Sequence, residues 1–400
     1  MDAFSKCRLS PDIEALVASG HYPFYLPVEE RLDDGEVVVD GRRVLMAGSN
    51  DYLALSNDPR VKAAGVDALC RLGAGNSGSR ALNGTLELHR TLEAELAAFL
   101  GHEAAMVVST GYQANLALSP LFGPRDLLLA DRYIHASLIE SARLGQAELR
   151  RYRHNDVAQL GRLLEGADPE AGRLILTEGM FSVTGDLADL PAITGLAALH
   201  GARVILDSAH DAGLLGAGGR GAAEHHGARV DVQTVTFSKC FGTIGGAVAG
   251  PRRVIDYLRH CARSALFSAS LPAACTAAAL AALGVVRAEP ERRRRVLAAA
   301  ESLRSGLAAL GLPVTPGFAP TVPLVVGDPE LCCRLWSELL REGVLANAML
   351  PPSVPEGRAL IRLSVTAAHT EAAVARLLDA VATAAERLGL VPAAVGGGRC

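Results

Sequence analysis

Aromatic side chains are scarce in this chain: Phe, Trp and Tyr make up 4% of its 400 residues, with a single tryptophan. So few flat rings leave little material for a base-stacking platform. An excess of charge is also missing. The formal net charge is -4 at pH 7, which gives neither nucleic acid nor an anionic membrane a reason to bind. No apolar run reaches the roughly 18 residues needed to span a bilayer. The opening MDAFSKCRLSPDIEALV puts acidic and polar residues where a secretory signal needs an apolar stretch. A soluble, cytoplasmic protein is expected. The eight cysteines, at 7, 70, 240, 261, 275, 332, 333 and 400, form no CxxC pair. Neither a metal site nor a disulfide framework is therefore expected, and most of them should be small buried residues. Cys240 stands apart because it directly follows Lys239.

What the chain does have is apolar content, 50%, spread over short runs rich in Ala, Leu and Val. That supports a sizeable core and more than one domain. A short helix over 11–20 and two strands around Asp40-Gly41 suggest an N-terminal arm, 1–58. A helix is expected over 60–72, then a loop, GAGNSGSRALNGT, then a helix from 86 to 100 with Leu88, Leu92, Leu96 and Phe99 at helical spacing. From 104 to 250, apolar runs (AAMVVS, DLLLAD, ELRRYR, RLILTE, ARVILD, QTVTFS, GAVAG) alternate with helical patterns at 115–121, 137–145, 157–164 and 190–199. Such alternation predicts an α/β fold with a mostly parallel sheet flanked by helices, here a large domain over 59–290. Long helices at 272–286 and 291–310 follow. A smaller α+β domain over 291–390 and a tail, 391–400, complete the chain.

The chemistry gathers at strand ends, where open α/β sheets bind ligands. Lys239 closes the run QTVTFS beside glycine-rich backbone; it is either a surface lysine or an amine able to form a Schiff base with an aldehyde. Asp207 ends ARVILD. It either caps the next helix or meets a cation such as a protonated pyridine nitrogen, with His210 in reach of the same ligand. Thr110, Gly111 and Tyr112 follow AAMVVS, as an ordinary helix cap or as a seat for phosphate. His135 follows DLLLAD and is either structural or placed to stack on a ring. Arg362, in ALIRLSV, requires a carboxylate, from the protein or from an amino acid. A phosphate seat, a carboxylate for a ring nitrogen, a lysine for an aldehyde and an arginine for a carboxylate are the parts that hold pyridoxal 5'-phosphate (PLP) and an amino acid.

The segments SNDYLALS, STGYQAN, HASLIESAR, TEGMFSVTGDLADL, DSAHDAGLLGAGGRG, TFSKCFGTIGG and PPSVPEGRALIRLSVTAAHT are long and gapless. Through them the chain, from about Tyr22 to beyond His369, resembles the α-oxoamine synthases, fold-type I PLP enzymes. GSRALNGTLELH, ARSALFSASLP and VPEGRALIR resemble the soluble bacterial serine palmitoyltransferases most. The resemblance implies a decarboxylative Claisen condensation of an amino acid with an acyl thioester, from CoA or a carrier protein, in a homodimer with shared sites. It implies that Lys239 carries the cofactor, Asp207 pairs with the ring nitrogen, His210 bonds the ring hydroxyl and His135 stacks on the ring. Thr110, Gly111, Tyr112 and Thr236 would lie at the phosphate, with Ser270 reaching it from the partner subunit. Glu178 and Ser182 would lie near the ring, and Arg362 and Asn50 would hold the substrate carboxylate. Departures from the family pattern stand at Ser208, Val183-Thr184, Cys240, Gly242-Thr243 and Leu350.

Overall fold

The computed structural model describes residues 2–391; the expected tail lies outside them from residue 392 on. The chain divides into two compact units, one of residues 50–182 and 186–295, the other of 1–49, 183–185 and 296–400. Residues 50–58, read from sequence as part of the arm, thus fall in the first unit.

The first unit is built on a seven-stranded sheet. Its spatial order is Ala104–Val108, Gly246–Gly250, Val232–Thr236, Arg203–Asp207, Gly172–Glu178, Asp126–Asp131, Glu148–Tyr152. Gly246–Gly250 runs antiparallel to both its neighbours, and the remaining strands share one direction. Three strands (Ala104–Val108, Val232–Thr236 and Gly246–Gly250) are buried at every residue. That is why Ala104–Val108 and Gly246–Gly250 are continuously small or apolar instead of alternating, while the buried polar side chains Gln233 and Thr234 of Val232–Thr236 are hydrogen-bonded to Ser208 and Asn115. Met106, Leu128, Leu176, Ile205 and Val248 from five strands pack with Leu118 and Leu138 into one core.

Ala104–Val108 is an edge strand, and side chains close its open side. Glu93 accepts the Val107 N–H (2.9 Å), Arg80 donates to the Val107 carbonyl (3.2 Å), and Arg259 donates to the Ala105 carbonyl (2.8 Å). Both arginines also pair with Glu93, at 2.9 and 2.8 Å. The buried carboxylate is thereby neutralised and hydrogen-bonded at once.

The second unit contains the hairpin Glu36–Val39/Arg42–Met46, turning at Asp40 (φ 48°) and Gly41 (φ 67°). Val344–Leu345 adds to it in parallel. A separate antiparallel sheet has the order Thr321–Gly327, Ala359–Ser364, Asn347–Met349, and helix Pro329–Arg341 packs on it through Cys332, Cys333, Leu335 and Trp336.

Some expectations need correction. The helix read over 115–121 begins at Gly111 and ends at Leu116; Pro120 then sits in a separate 3-10 turn, Ser119–Leu121. Helices Ala222–His226, Arg252–Cys261 and Arg263–Leu266 were not foreseen. Only three of the seven described cysteines, Cys240, Cys332 and Cys333, are buried. Cys7 precedes a helix with no buried residue, and Cys70 lies off the face of Pro59–Leu72 that buries Val61 and Ala68. Among the described residues no single helix is long and apolar enough to cross a membrane, and no group of ligating side chains could hold a metal.

Candidate active site

Register aligns the carboxyl ends of three adjacent parallel strands. Glu178 lies opposite Asp207, and Asp207 opposite Thr234. A cavity of about 230 Å³ opens beyond this row, and eight of the residues expected from sequence line it: Gly111, Tyr112, His135, Glu178, Asp207, His210, Thr236 and Lys239. Thr110, Ser182, Ser270 and Asn50 belong to the same unit but are not among its lining residues. Arg362 is buried on Ala359–Ser364 in the other unit, with Pro323 and Asn347 as its register neighbours.

Lys239 stands on a tight loop between Val232–Thr236 and Gly246–Gly250. Phe237 N–H donates to Gly245 O, Thr243 N–H to Phe237 O, and Gly242 N–H to Lys239 O, each at 2.9 Å. Gly242 has φ +62°, and a Cβ there would overlap the Ser56 backbone nitrogen; only glycine fits. Cys240 is 1% exposed, and burial pushes its thiol pKa up, so it is a packing residue and not a nucleophile. Cys240 and Gly242, which depart from the family pattern, therefore shape the lysine loop.

Asp207 is buried, with both oxygens fixed: Oδ1 accepts the Ala209 N–H (2.9 Å) and Oδ2 the Asn115 amide (2.7 Å). Beside it, burial first and Asp207 second push the Glu178 pKa well above the usual carboxylate range, with Lys239 opposing. His210 Nδ1 bonds the Tyr52 hydroxyl at 2.7 Å, and His210 is among the residues lining the cavity. His135 Nδ1 accepts the Ser137 N–H (3.2 Å) and pairs with the Ser137 hydroxyl (2.7 Å). Its ring stays open to the cavity, but the protein atoms crowding it lower its pKa, as does Lys239, while Asp207 opposes. His135 is thus held neutral with its proton on Nε2. Tyr112 stands edge-on to it, centroids 6.1 Å apart, and its hydroxyl donates to Glu140.

Thr110 caps helix Gly111–Leu116 by accepting the Gln113 N–H at 3.1 Å. A Cβ on Gly111 would stand 2.6 Å from Thr236; its absence leaves backbone open beside a threonine hydroxyl. Ser270 accepts from Asn76 (2.8 Å) and donates to Gly78 O (3.2 Å). Asn50 Oδ1 lies 3.4 Å from the Tyr52 hydroxyl. Ser208 accepts from Gln233 (2.8 Å) and donates to Asp211 (3.5 Å).

Sequence reasoning did not single out Asn115, Ser137, Thr234 or Tyr52. Two signals were available. Asn115 lies one helical turn after Gly111, and Thr234 shares a strand face with Thr236.

The family model for aminotransferase class I and II matches residues 42–381. A serine palmitoyltransferase of Bacteriovorax stolpii is 40% identical over 95% of this chain and 91% of its own. An 8-amino-7-oxononanoate synthase of Symbiobacterium thermophilum is 41% identical over 88% and 91%. Among solved structures, a serine palmitoyltransferase from S. paucimobilis with PLP and myriocin bound superposes with a TM-score of 0.95 at 34% identity, covering 98% of this chain and all of that one. The chain belongs to the class I and II aminotransferase family, in the α-oxoamine synthase branch that holds serine palmitoyltransferases and 8-amino-7-oxononanoate synthases.

Proposed function

We propose that this chain binds PLP in the cavity and condenses L-serine with a long-chain acyl-CoA, giving an α-aminoketone, CO2 and free thiol. One observation carries the reading: an amine, a carboxylate and two imidazoles converge on a single cavity at the carboxyl ends of parallel strands. The donor set fits the cofactor. Lys239 suits the aldehyde, Asp207 the ring nitrogen, His210 the ring hydroxyl, and the opening at Gly111 beside Thr236 the phosphate. When bound, PLP supplies an electron sink for the charge left at the amino acid's α-carbon.

The chain's own residues do the rest. Lys239 Nζ would hold the cofactor, and the same amine would take the α-proton and later return it. Asp207, its oxygens fixed by Ala209 and Asn115, keeps a proton on the ring nitrogen. His135 lies against the ring as a neutral imidazole. Thr110, Gly111, Tyr112 and Thr236 hold the phosphate, joined by Ser270 across a homodimer interface. Glu178 and Ser182 flank the ring, with burial holding the Glu178 pKa well above the usual carboxylate range. Arg362 grips the substrate carboxylate with Asn50. The dimer and a cytoplasmic location are parts of this proposal.

A second reading keeps the chemistry with alanine or glycine and a pimeloyl or carrier-protein donor. The 41% identity to an 8-amino-7-oxononanoate synthase favours it. Aminotransfer to a keto acid is the weaker third reading. Titrating the PLP-loaded protein with Ser, Ala and Gly while following visible absorbance, then adding acyl-CoAs of graded length and measuring thiol release, separates them. Serine-dependent thiol release with long chains is the expected result. No release with any acyl-CoA would overturn the CoA-dependent reading, and no cofactor absorbance would overturn the mechanism. Lys239→Ala should bind PLP only noncovalently and lose turnover.

A further inference from the structure

Five side chains lining the cavity form one hydrogen-bonded network, centred on Asn115, whose direction can be read from a single end. An ionised carboxylate only accepts. Asp207 Oδ2, 2.7 Å from Asn115 Nδ2, therefore fixes the amide with its nitrogen toward the carboxylate. The second N–H of the same nitrogen then goes to the Ser137 hydroxyl oxygen at 2.8 Å. Ser137, accepting there, spends its own proton on His135 Nδ1 at 2.7 Å. At the other end of the amide, Oδ1 must accept, so the Thr234 hydroxyl donates to it at 2.7 Å. Asn115 is 4% exposed, and both protons and the oxygen of its amide are engaged.

We propose that Asn115 is a positioning residue: one amide, held by Thr234, aims the Asp207 carboxylate and, through Ser137, fixes the orientation of the His135 ring. The inference rests on the functional reading above for what Asp207 and His135 do, though the network itself is a property of the protein alone. Its physical content is coupling. The group that balances charge at one edge of the bound ring and the group that lies on its face share one anchor. A change at the amide therefore moves both, whereas a change at Ser137 moves only His135. A saturated buried network of this kind has a single arrangement, because any flip of the amide sets Oδ1 against the carboxylate.

Three variants test it: Asn115→Ala, Thr234→Val and Ser137→Ala. The first measurement follows the His135 titration by NMR in cofactor-free protein. The second follows the pH at which the visible absorbance of bound PLP changes. The third is the split of kcat and KM. Asn115→Ala is expected to move both titrations and to lower kcat about tenfold to a hundredfold with KM within about twofold, the scale seen when a partner behind a ligating group is lost. Thr234→Val should move both titrations in the same direction by less. Ser137→Ala should move the His135 titration and leave the absorbance midpoint in place. Wild-type titrations in Asn115→Ala, however far its melting temperature falls, would overturn the proposal by reducing Asn115 to a structural residue. If Asn115→Ala does not fold, wild-type titrations in both other variants do the same. If the wild-type protein takes up no PLP, the functional reading fails instead, and the His135 titration in cofactor-free protein decides the inference.

Discussion

Asp211 is a buried carboxyl with one oxygen satisfied. Oδ2 accepts the Ala222 N–H at 2.7 Å, while Oδ1 has no partner. Burial pushes its pKa up to about 7, against the Ala222 bond. The unfolded value is near 3.9, so between about pH 4 and 7 the folded state binds the extra proton. The associated stability is complete below pH 4 and lost as pH rises through 7. Asp211→Asn is therefore expected to be more stable than wild type at pH 8, by about 1–3 kcal/mol, with the gain vanishing below about pH 4; urea melts at pH 8 and about pH 4 check it. An equal effect at both would show that packing, not charge, is what changed. At this scale Lys239, Asp207, His210 and His135 could be read from the sequence because each lies at, or within four residues of, the end of an apolar run, and strand ends are where such sheets bind ligands. Asn115 carried only its helical spacing from Gly111 as a signal and Tyr52 carried none, because their partners, Asp207 and His210, lie 92 and 158 residues away.

Among the elements, the loop after Glu148–Tyr152 is clasped by His154. Its Nδ1 meets Asp131 at 3.0 Å and its Nε2 meets Asp186 at 2.9 Å, with Tyr133 stacked on the ring at 4.6 Å and Phe181 edge-on at 4.4 Å. Burial works to lower the His154 pKa, but the bonds to the two aspartates override it and raise it to about 9. A raised histidine stabilises fully below its unfolded value, near 6.5, and loses that contribution as pH climbs through 9. Thermal melts should show wild-type stability declining between pH 6.5 and 9. His154→Gln should start lower by about 2–4 kcal/mol, since two carboxylates lose their cation, and should lack that decline; a parallel slope would exclude the clasp as its source. Nothing local in the sequence marks His154 as a bridge. Asp131 and Asp186 reach it from two other stretches of chain. The same limit explains the helices. Asp40-Gly41 announces its hairpin locally, whereas Arg252–Cys261, six of whose ten residues are Arg, Asp, His or Cys, shows its buried face only through Ile255 and Leu258.

For the molecule as a whole, the proposed shared site requires two copies. Light scattering on the eluted protein should give twice the chain mass of 41.7 kDa. A monomer with full turnover would remove Ser270 from the list of phosphate contacts.

The closure of the Ala104–Val108 edge by Glu93, Arg80 and Arg259 bears on how the protein behaves in a crowded cell. A bare strand edge is a template on which another chain can grow, and this one is the uninterrupted apolar run AAMVV. Here the outward N–H of Val107 and the outward carbonyls of Ala105 and Val107 are occupied by the protein's own charged groups. Glu93→Ala would release two guanidiniums and bare the Val107 N–H, and is expected to aggregate on standing, with thioflavin fluorescence rising, in protein whose active-site residues are all intact. The carboxylate and its two arginines thus act as a built-in guard against fibril growth, which an assay of turnover would not detect.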